Sequence, residues 1–168
     1  MKKSTKIALI IFLALIAVAI PLYYLVVPDE AQPEGTLLIK GNVNSPANFT
    51  FTQLESIQAV TLHVTLTSSS QLKDNGDFNY TGVRLTDLLN QVQPYDNATS
   101  IYIQASDGYG TTLSLQEVLS ENVIIAYLKD GEKLSLLKDG GEGPFRLIIG
   151  DDEFAQRWTR GVVAIDVS

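Results

Sequence analysis

Val60, Leu62, Val64 and Leu66 alternate with Thr61, His63, Thr65 and Thr67. A period of two over eight residues predicts a half-buried strand with one polar face. Residues 36–43 alternate in the same way and predict a first strand, ended by Asn44-Ser45-Pro46. Thr52-x-x-Glu55 has the form of a capping box and predicts a short helix over 53–57. The polar stretch 68–80 reads as a loop. Val83, Leu85, Leu88, Leu89 and Val92 then recur at mixed spacings of three and four, the stripe of an amphipathic helix. Residues 100–106 predict another strand. Ser114-x-x-Glu117 is a second capping box, opening a helix through Leu119. Residues 123–128 are apolar and predict a buried strand, and Asp130-Gly131 after them suggests a hairpin turn. Strands at 145–149 and 161–167 complete the set. Short helices scattered among many strands predict an α+β fold, not alternating βαβ units.

One stretch fits neither period. Residues 7–27 contain no charged side chain and are mostly Ile, Leu, Val and Ala. As a helix they would extend about 31 Å, enough to cross a hydrocarbon core. Lys2, Lys3 and Lys6 precede the stretch, and the next basic residue is Lys40. That asymmetry predicts a single-pass anchor with a cytoplasmic N-terminus (1–6) and an extracytoplasmic domain. Tyr23 and Tyr24 sit near its outer end, where aromatic rings favour the interface. The alternative is a signal peptide cleaved after Ala17-Val18-Ala19. Cleavage there would leave Ile-Pro-Leu-Tyr-Tyr-Leu-Val-Val as an apolar new end, a poor start for a soluble protein. Residues 28–35, with Pro28 and Pro33, read as a linker, and 36–168 as the folded domain.

Charge then narrows the partners. All 19 acidic residues lie beyond the apolar stretch, with nine of the 12 basic ones, so that part carries −10. Nucleic acid is excluded as a partner, because phosphate binding needs a basic face. The membrane, through the N-terminal helix, and a protein partner or small ligand remain. Three N-x-Thr sequons, at Asn48, Asn79 and Asn97, look loop-borne and lie on the expected outer side. The chain has no Cys, which removes disulfides, thiolate metal sites and Cys nucleophiles.

Other chemistry is thin. His63 is the only His and reads as an exposed residue on a Thr-rich face. Asp74-Asn75-Gly76-Asp77 and Asp151-Asp152-Glu153 offer hard oxygens for calcium, but neither has EF-hand spacing, and turn chemistry and surface charge explain them. Gly140-Gly141-Glu142-Gly143 lies between Lys138 and Arg146 and has the makings of an anion nest. Glu142 would repel the anion, so a flexible hairpin connection is the better reading.

Pattern alone stops at a membrane-tethered α+β domain. The order of several stretches goes further. LLIKGNVNSPANFTFTQL (37–54), YTGVRLTDLL (80–89), ASDGYGTTLSL (105–115), AYLKDGEKL (126–134), GPFRLIIG (143–150) and RWTRGVVAID (157–166) resemble, in order, blocks of the oxidoreductase molybdopterin-binding domain family, the sulfite-oxidase-like fold. The resemblance covers 36–168. It implies a mixed-sheet, sulfite-oxidase-type fold with short helices, here preceded by one transmembrane helix.

In the family's enzymes, molybdenum is held by a pterin dithiolene and one protein Cys. The corresponding region here is Thr67-Ser68-Ser69-Ser70, without a thiolate. A Ser hydroxyl is a harder and more basic ligand. The family's active-site Trp corresponds to Tyr80, its Pro-Gly to Ile149-Gly150, and its Val-Lys to Thr159-Arg160. The resemblance places Ser68, Ser69, Ser70, Asp107, Tyr109, Arg146 and Arg160 at a cofactor pocket, with no catalytic or metal-ligating residue assigned. Gly108 would allow a positive φ, Asp107 would brace the turn, and Tyr109 would pack under the pocket wall. The expected function is a membrane-anchored, extracytoplasmic binding module without molybdenum catalysis. The alternatives are a minimal molybdopterin oxidoreductase with Ser or water as metal ligand, in which Arg146 and Arg160 grip the pterin phosphate, and a structural subunit of a membrane redox or transport complex.

Overall fold

The computed structural model describes residues 5, 9, 12–18, 34–68 and 75–168. The chain divides into two compact units, Met1–Ala31 and Gln32–Ser168. In the first, residues 12–18 are helical with exposed side chains. Among the described residues no helix is long and apolar enough to cross a membrane. Most of the expected span 7–27, the linker as far as Pro33, and Ser69, Ser70 and Asp74 lie outside the described residues.

In the second unit the first and last strands meet. β1 (Thr36–Gly41) and β10 (Val162–Val167) pair in parallel, with Leu38 opposite Ala164 and Gly41 opposite Val167. Around this pair a five-stranded sheet runs β2-β1-β10-β5-β6, with β2 (Ala47–Thr50), β5 (Ser100–Ala105) and β6 (Gly110–Ser114) joined antiparallel. Leu37, Ile39, Ile101, Ile103 and Ile165 bury completely on its inner face. A second sheet runs β3-β4-β7-β8, with β9 also pairing with β7. Its strands are β3 (Ala59–Leu66), β4 (Gly76–Arg84), β7 (Val123–Lys129), β8 (Glu132–Lys133) and β9 (Arg146–Ile149). Both sheets feed one apolar cluster, to which β7 contributes Val123, Ile124, Ile125, Ala126 and Tyr127. This is an α+β fold with short helices, as the pattern predicted; the first sheet is mixed, as the resemblance implied, and the second is antiparallel throughout.

The three helices differ in how well they were foreseen. α1 (Phe51–Ser56) starts two residues before its expected position. Its capping box is Thr50-x-x-Gln53, with Gln53 N donating to Thr50 Oγ1 at 3.3 Å and Thr50 N to Gln53 Oε1 at 2.8 Å. Two overlapping boxes fit the sequence, and packing selects the earlier: Phe51 meets the rings of Tyr127 and Phe145, at 5.4 and 6.2 Å between centroids. α2 (Leu85–Val92) buries Leu85, Leu88, Leu89 and Val92, the expected stripe, but Val83 belongs to β4. α3 (Leu115–Val118) opens at the expected Ser114–Glu117 box.

Three strands were missed, β2 between the first strand and α1 among them. β4 takes in the last five residues of the presumed loop 68–80, and β6 fills the gap before α3. β4 reads as polar because its outer face carries a ladder opposite β3: Thr61 with Thr81 at 2.7 Å, His63 with Asn79 at 3.1 Å, and Thr65 donating to Asp77 at 2.6 Å. His63 is exposed there, as expected. The sequons also need correction: Asn48 and Asn79 are exposed strand residues, while Asn97 lies in a turn.

A register shift between Thr81 and Gly82 bends β4 against β7. A Cβ on Gly82 would stand 2.1 Å from the Ile125 carbonyl oxygen. The obstacle is backbone and cannot rotate away. Gly82→Ala is therefore expected to cost about 3 kcal/mol, while Thr61→Ala on the exposed ladder costs about 0.5 kcal/mol. Urea unfolding midpoints of the detergent-solubilised chain check the contrast, and equal shifts would refute it.

Candidate functional site

A cleft of about 380 Å³ opens where several loops converge. Leu66 and Ser68 reach it from the end of β3, Asp107 and Tyr109 from the β5–β6 turn, and Glu142 and Arg146 from the start of β9. Ala155, Gln156, Trp158 and Arg160 close the remaining side, in and after the 3-10 turn Ala155–Arg157. Five of the seven candidate residues, Ser68, Asp107, Tyr109, Arg146 and Arg160, thus line one cleft. Ser69 and Ser70 lie outside the described residues.

Arg146 is 4 % exposed, and its charge has to be met inside the protein. Its guanidinium carbon stands 5.4 Å from the centroid of the Tyr80 ring and 5.9 Å from that of Trp158. Arg146 Nη1 donates to Tyr80 Oη at 2.8 Å and lies 2.5 Å from Glu142 Oε2. The Tyr80 hydroxyl in turn donates to Glu142 Oε2 at 2.9 Å. On its other oxygen Glu142 holds Lys129 Nζ at 3.1 Å, and that ammonium sits 3.7 Å over the Phe78 ring. Burial pushes the Glu142 carboxyl up, but Arg146 and Lys129 outweigh it and hold the group below its ordinary value. Burial also pushes the Tyr80 phenol well above its ordinary value; Arg146 opposes the shift and the Glu142 carboxylate adds to it. Among the described residues Arg84 Nε, Arg146 Nε and Trp158 Nε1 are buried and have no hydrogen-bond acceptor.

The Asp107-Gly108-Tyr109 turn forms as expected at its base. Asp107 Oδ1 accepts from Tyr109 N at 3.0 Å, and Gly108 takes φ 86°, where a side chain would be strained. Tyr109 does not pack under the wall. It is 52 % exposed, and its hydroxyl donates to the Gln156 carbonyl at 2.8 Å, so it lies along the rim. Ser68 N donates to Asn75 Oδ1 at 2.7 Å, which tethers the end of β3.

The 3-10 turn is held from behind by Arg157. Its Nη2 and Nε meet Asp152 at 2.5 and 3.1 Å, and its Nη1 meets Glu117 at 2.7 Å. The Arg157 carbonyl accepts from Thr111 Oγ1 at 2.9 Å. Hydrogen bonds from Arg157 and from Ser114 pull the Glu117 carboxyl down to about 2. Asp151 accepts from Ser120 and Asn122. Of the acidic run 151–153, Asp152 braces the 3-10 turn, while Asp151 and Glu153 are exposed.

The loop before β9 also departs from expectation. β8 and β9 each pair with β7 and not with one another, so 134–145 is no hairpin connection. Nor does it form an anion nest, since Glu142 supplies the negative charge itself. Leu66, Glu142, Ala155, Gln156 and Trp158 line the cleft without having been named as site residues, and the buried Tyr80 bonds two lining residues, Glu142 and Arg146.

Removing one partner of this cluster leaves a buried charge. Arg146→Met is expected to cost about 4 kcal/mol, and the double variant with Glu142→Gln less than the sum of the two single losses. Tyr80→Phe costs about 2 kcal/mol by stranding two partners. A denaturant double-mutant cycle tests the coupling, and additivity would disprove it. In acid, the unfolded chain takes up a proton at Glu117 near the ordinary 4.5, while the native chain resists until about 2. Stability is thus full above that upper value and falls through the window as pH drops. Glu117→Gln flattens that slope in pH-dependent melts; an unchanged slope would contradict the assignment.

The oxidoreductase molybdopterin binding domain model matches residues 24–168. No curated protein matches the chain in sequence. Among solved structures, the sulfane dehydrogenase SoxCD of Paracoccus pantotrophus superposes with a TM-score of 0.66 at 20 % identity, over 79 % of this chain and 37 % of that one. This chain thus spans well under half the length of that structure's chain, and the likeness concerns the fold. The family match runs through every element that lines the cleft, and the chain belongs to the oxidoreductase molybdopterin binding domain family.

Proposed function

We propose that this chain is a membrane-anchored, extracytoplasmic domain whose cleft binds a small planar ligand of the pterin class without a thiolate-held metal. The observation that carries the ligand is the pair of buried N–H groups, Arg146 Nε and Trp158 Nε1, that have no acceptor among the described residues. A buried donor left unpaired costs about 1–3 kcal/mol, and such groups are usually met by a partner. A ring bearing nitrogen or carbonyl acceptors would meet them, with the Trp158 and Tyr109 rings as apolar surfaces beside it.

The residues present do not fit the family's metal. The sequence contains no Cys. Ser68, from the segment where the family's thiolate would stand, lines the cleft with a hydroxyl. Among the described residues no three His, Cys, Asp or Glu side chains gather where they could hold an ion. The donor set is therefore suited to an organic ligand and lacks the soft sulfur that molybdenum takes from its protein. The anchor is supported by the uncharged run 7–27 behind Lys2, Lys3 and Lys6.

Full-length protein purified from a host that makes the molybdenum cofactor tests the reading by elemental analysis and pterin fluorescence. Pterin near one per chain with molybdenum far below it is the expected result. Near-stoichiometric molybdenum would overturn the metal-free assignment, and absence of both would overturn the ligand. Trp158→Phe should lower the pterin content several-fold. Protease added outside intact, outwardly permeable cells should degrade the domain, and full protection would reverse the orientation.

A further inference from the structure

Among the described residues, most sheet edges are short or covered. β2 has four residues and β8 two. β6 has five, with Ser114 N taken by the Glu117 carboxylate, and β9 gives Leu147 N to the Thr159 carbonyl. β3 is the exception. Its eight residues pair only with β4, in a register without a shift, and include no Pro, Gly, Lys, Arg, Asp or Glu. Charges, Pro and bulges are the devices that ordinarily blunt an edge.

The direction of the β3 backbone follows from β4. Asn79 N donates to Asp130 Oδ1 at 2.9 Å, and the Asn79 carbonyl accepts from Asp130 N at 2.8 Å, so both groups face the β7 side. Backbone groups alternate along a strand, so Phe78 and Tyr80 face β3, where Val64 and Leu62 stand opposite them. Thr61, His63 and Thr65 therefore turn their N–H and C=O groups to the free side. The Thr67 carbonyl points the same way and accepts from Ala155 N at 2.9 Å. The backbones of Thr61, His63 and Thr65 have no such partner among the described residues.

We propose that this edge pairs antiparallel with the β3 edge of a second copy of the chain, about a twofold axis at His63. Val60-Thr61-Leu62-His63-Val64-Thr65-Leu66 is nearly a palindrome in residue type. With His63 opposite His63 of the copy, Thr61 stands opposite Thr65, Leu62 opposite Val64, and Val60 opposite Leu66. Every outward backbone then meets another outward backbone, and the pairs exchange about six hydrogen bonds. Thr faces Thr on the polar side, while the partly buried Val60 and Leu62 gain apolar neighbours on the other. Charge favours a copy at this place. The chain beyond the apolar stretch carries −10, yet no Asp, Glu, Lys or Arg occurs from Ser56 to Leu72. Asp77, the acid beside this edge on the polar face, lies one strand in and accepts from Thr65. An isologous contact of this kind closes on itself and leaves no edge for a third copy.

The chain has no Cys, so introduced cysteines report the contact without background. Full-length His63→Cys, oxidised with copper phenanthroline in the expressing cells, should form a disulfide dimer several-fold more than Thr112→Cys, an exposed position on β6. Residues paired across the axis have Cα atoms about 5.5 Å apart, within the roughly 4.4–6.8 Å that a disulfide spans. Thr61→Cys and Thr65→Cys chains should cross-link when co-expressed and not singly, because like positions then lie about 13 Å apart along the strands. His63→Lys sets like charges opposite each other and should convert the detergent-solubilised dimer to monomer in light scattering, with its urea midpoint unchanged. The proposal is overturned if neither cysteine arrangement cross-links above Thr112→Cys, or if a dimer survives His63→Lys. The co-expressed pair keeps His63 in place and carries the test if the His63 variants do not fold.

Discussion

A guanidinium sealed between two aromatic rings cannot rely on water for its counter-charge. Arg146 meets that constraint with Glu142 and Tyr80, and Glu142 recruits Lys129 in turn. The cluster joins β4, β7, β9 and the loop before β9 at one point. Desolvation makes each member costly alone, so the four side chains hold one another in place. The cleft is the open side of this arrangement.

The rest of the domain serves to bring distant segments to that point. Residues 66–68, 107–109, 142–146 and 155–160 are far apart in sequence and line one cleft because two sheets present their loops together. The parallel β1–β10 pair ties the beginning of the domain to its end. Arg157, bound to both Asp152 and Glu117, then sets the 3-10 turn against α3 and the β5–β6 hairpin. The wall is built from loops, but their ends are pinned by ion pairs and strands, which suits a preformed site more than a mobile one.

Membership of the molybdopterin binding domain family and the lack of any thiolate pull against each other. A fold can persist while its chemistry changes, because the packing that specifies the fold and the few side chains that do the chemistry are largely separate. Here the core is apolar, and the cleft is lined by charges of both signs and by aromatic rings.

Much of this was legible in the chain. Alternation marked β1, β3 and β5, the Leu85–Val92 stripe marked α2, and the ordered blocks marked the family, because each is a local pattern of side chains. β4 was not legible. Its polar face is a ladder satisfied by β3, and a single strand does not reveal its partner. The α1 box was ambiguous until Phe51 met Tyr127 and Phe145. The bonds of Glu142 to Tyr80 and Lys129 were not legible either, since only the tertiary structure brings those residues to it. The sequence by itself determined the α+β class, the family and the absence of sulfur ligands, all properties of residue type and order. The tertiary structure decided which charges neutralise each other and which donors are left over, because electrostatic pairing and desolvation depend on distances between segments that the sequence holds far apart.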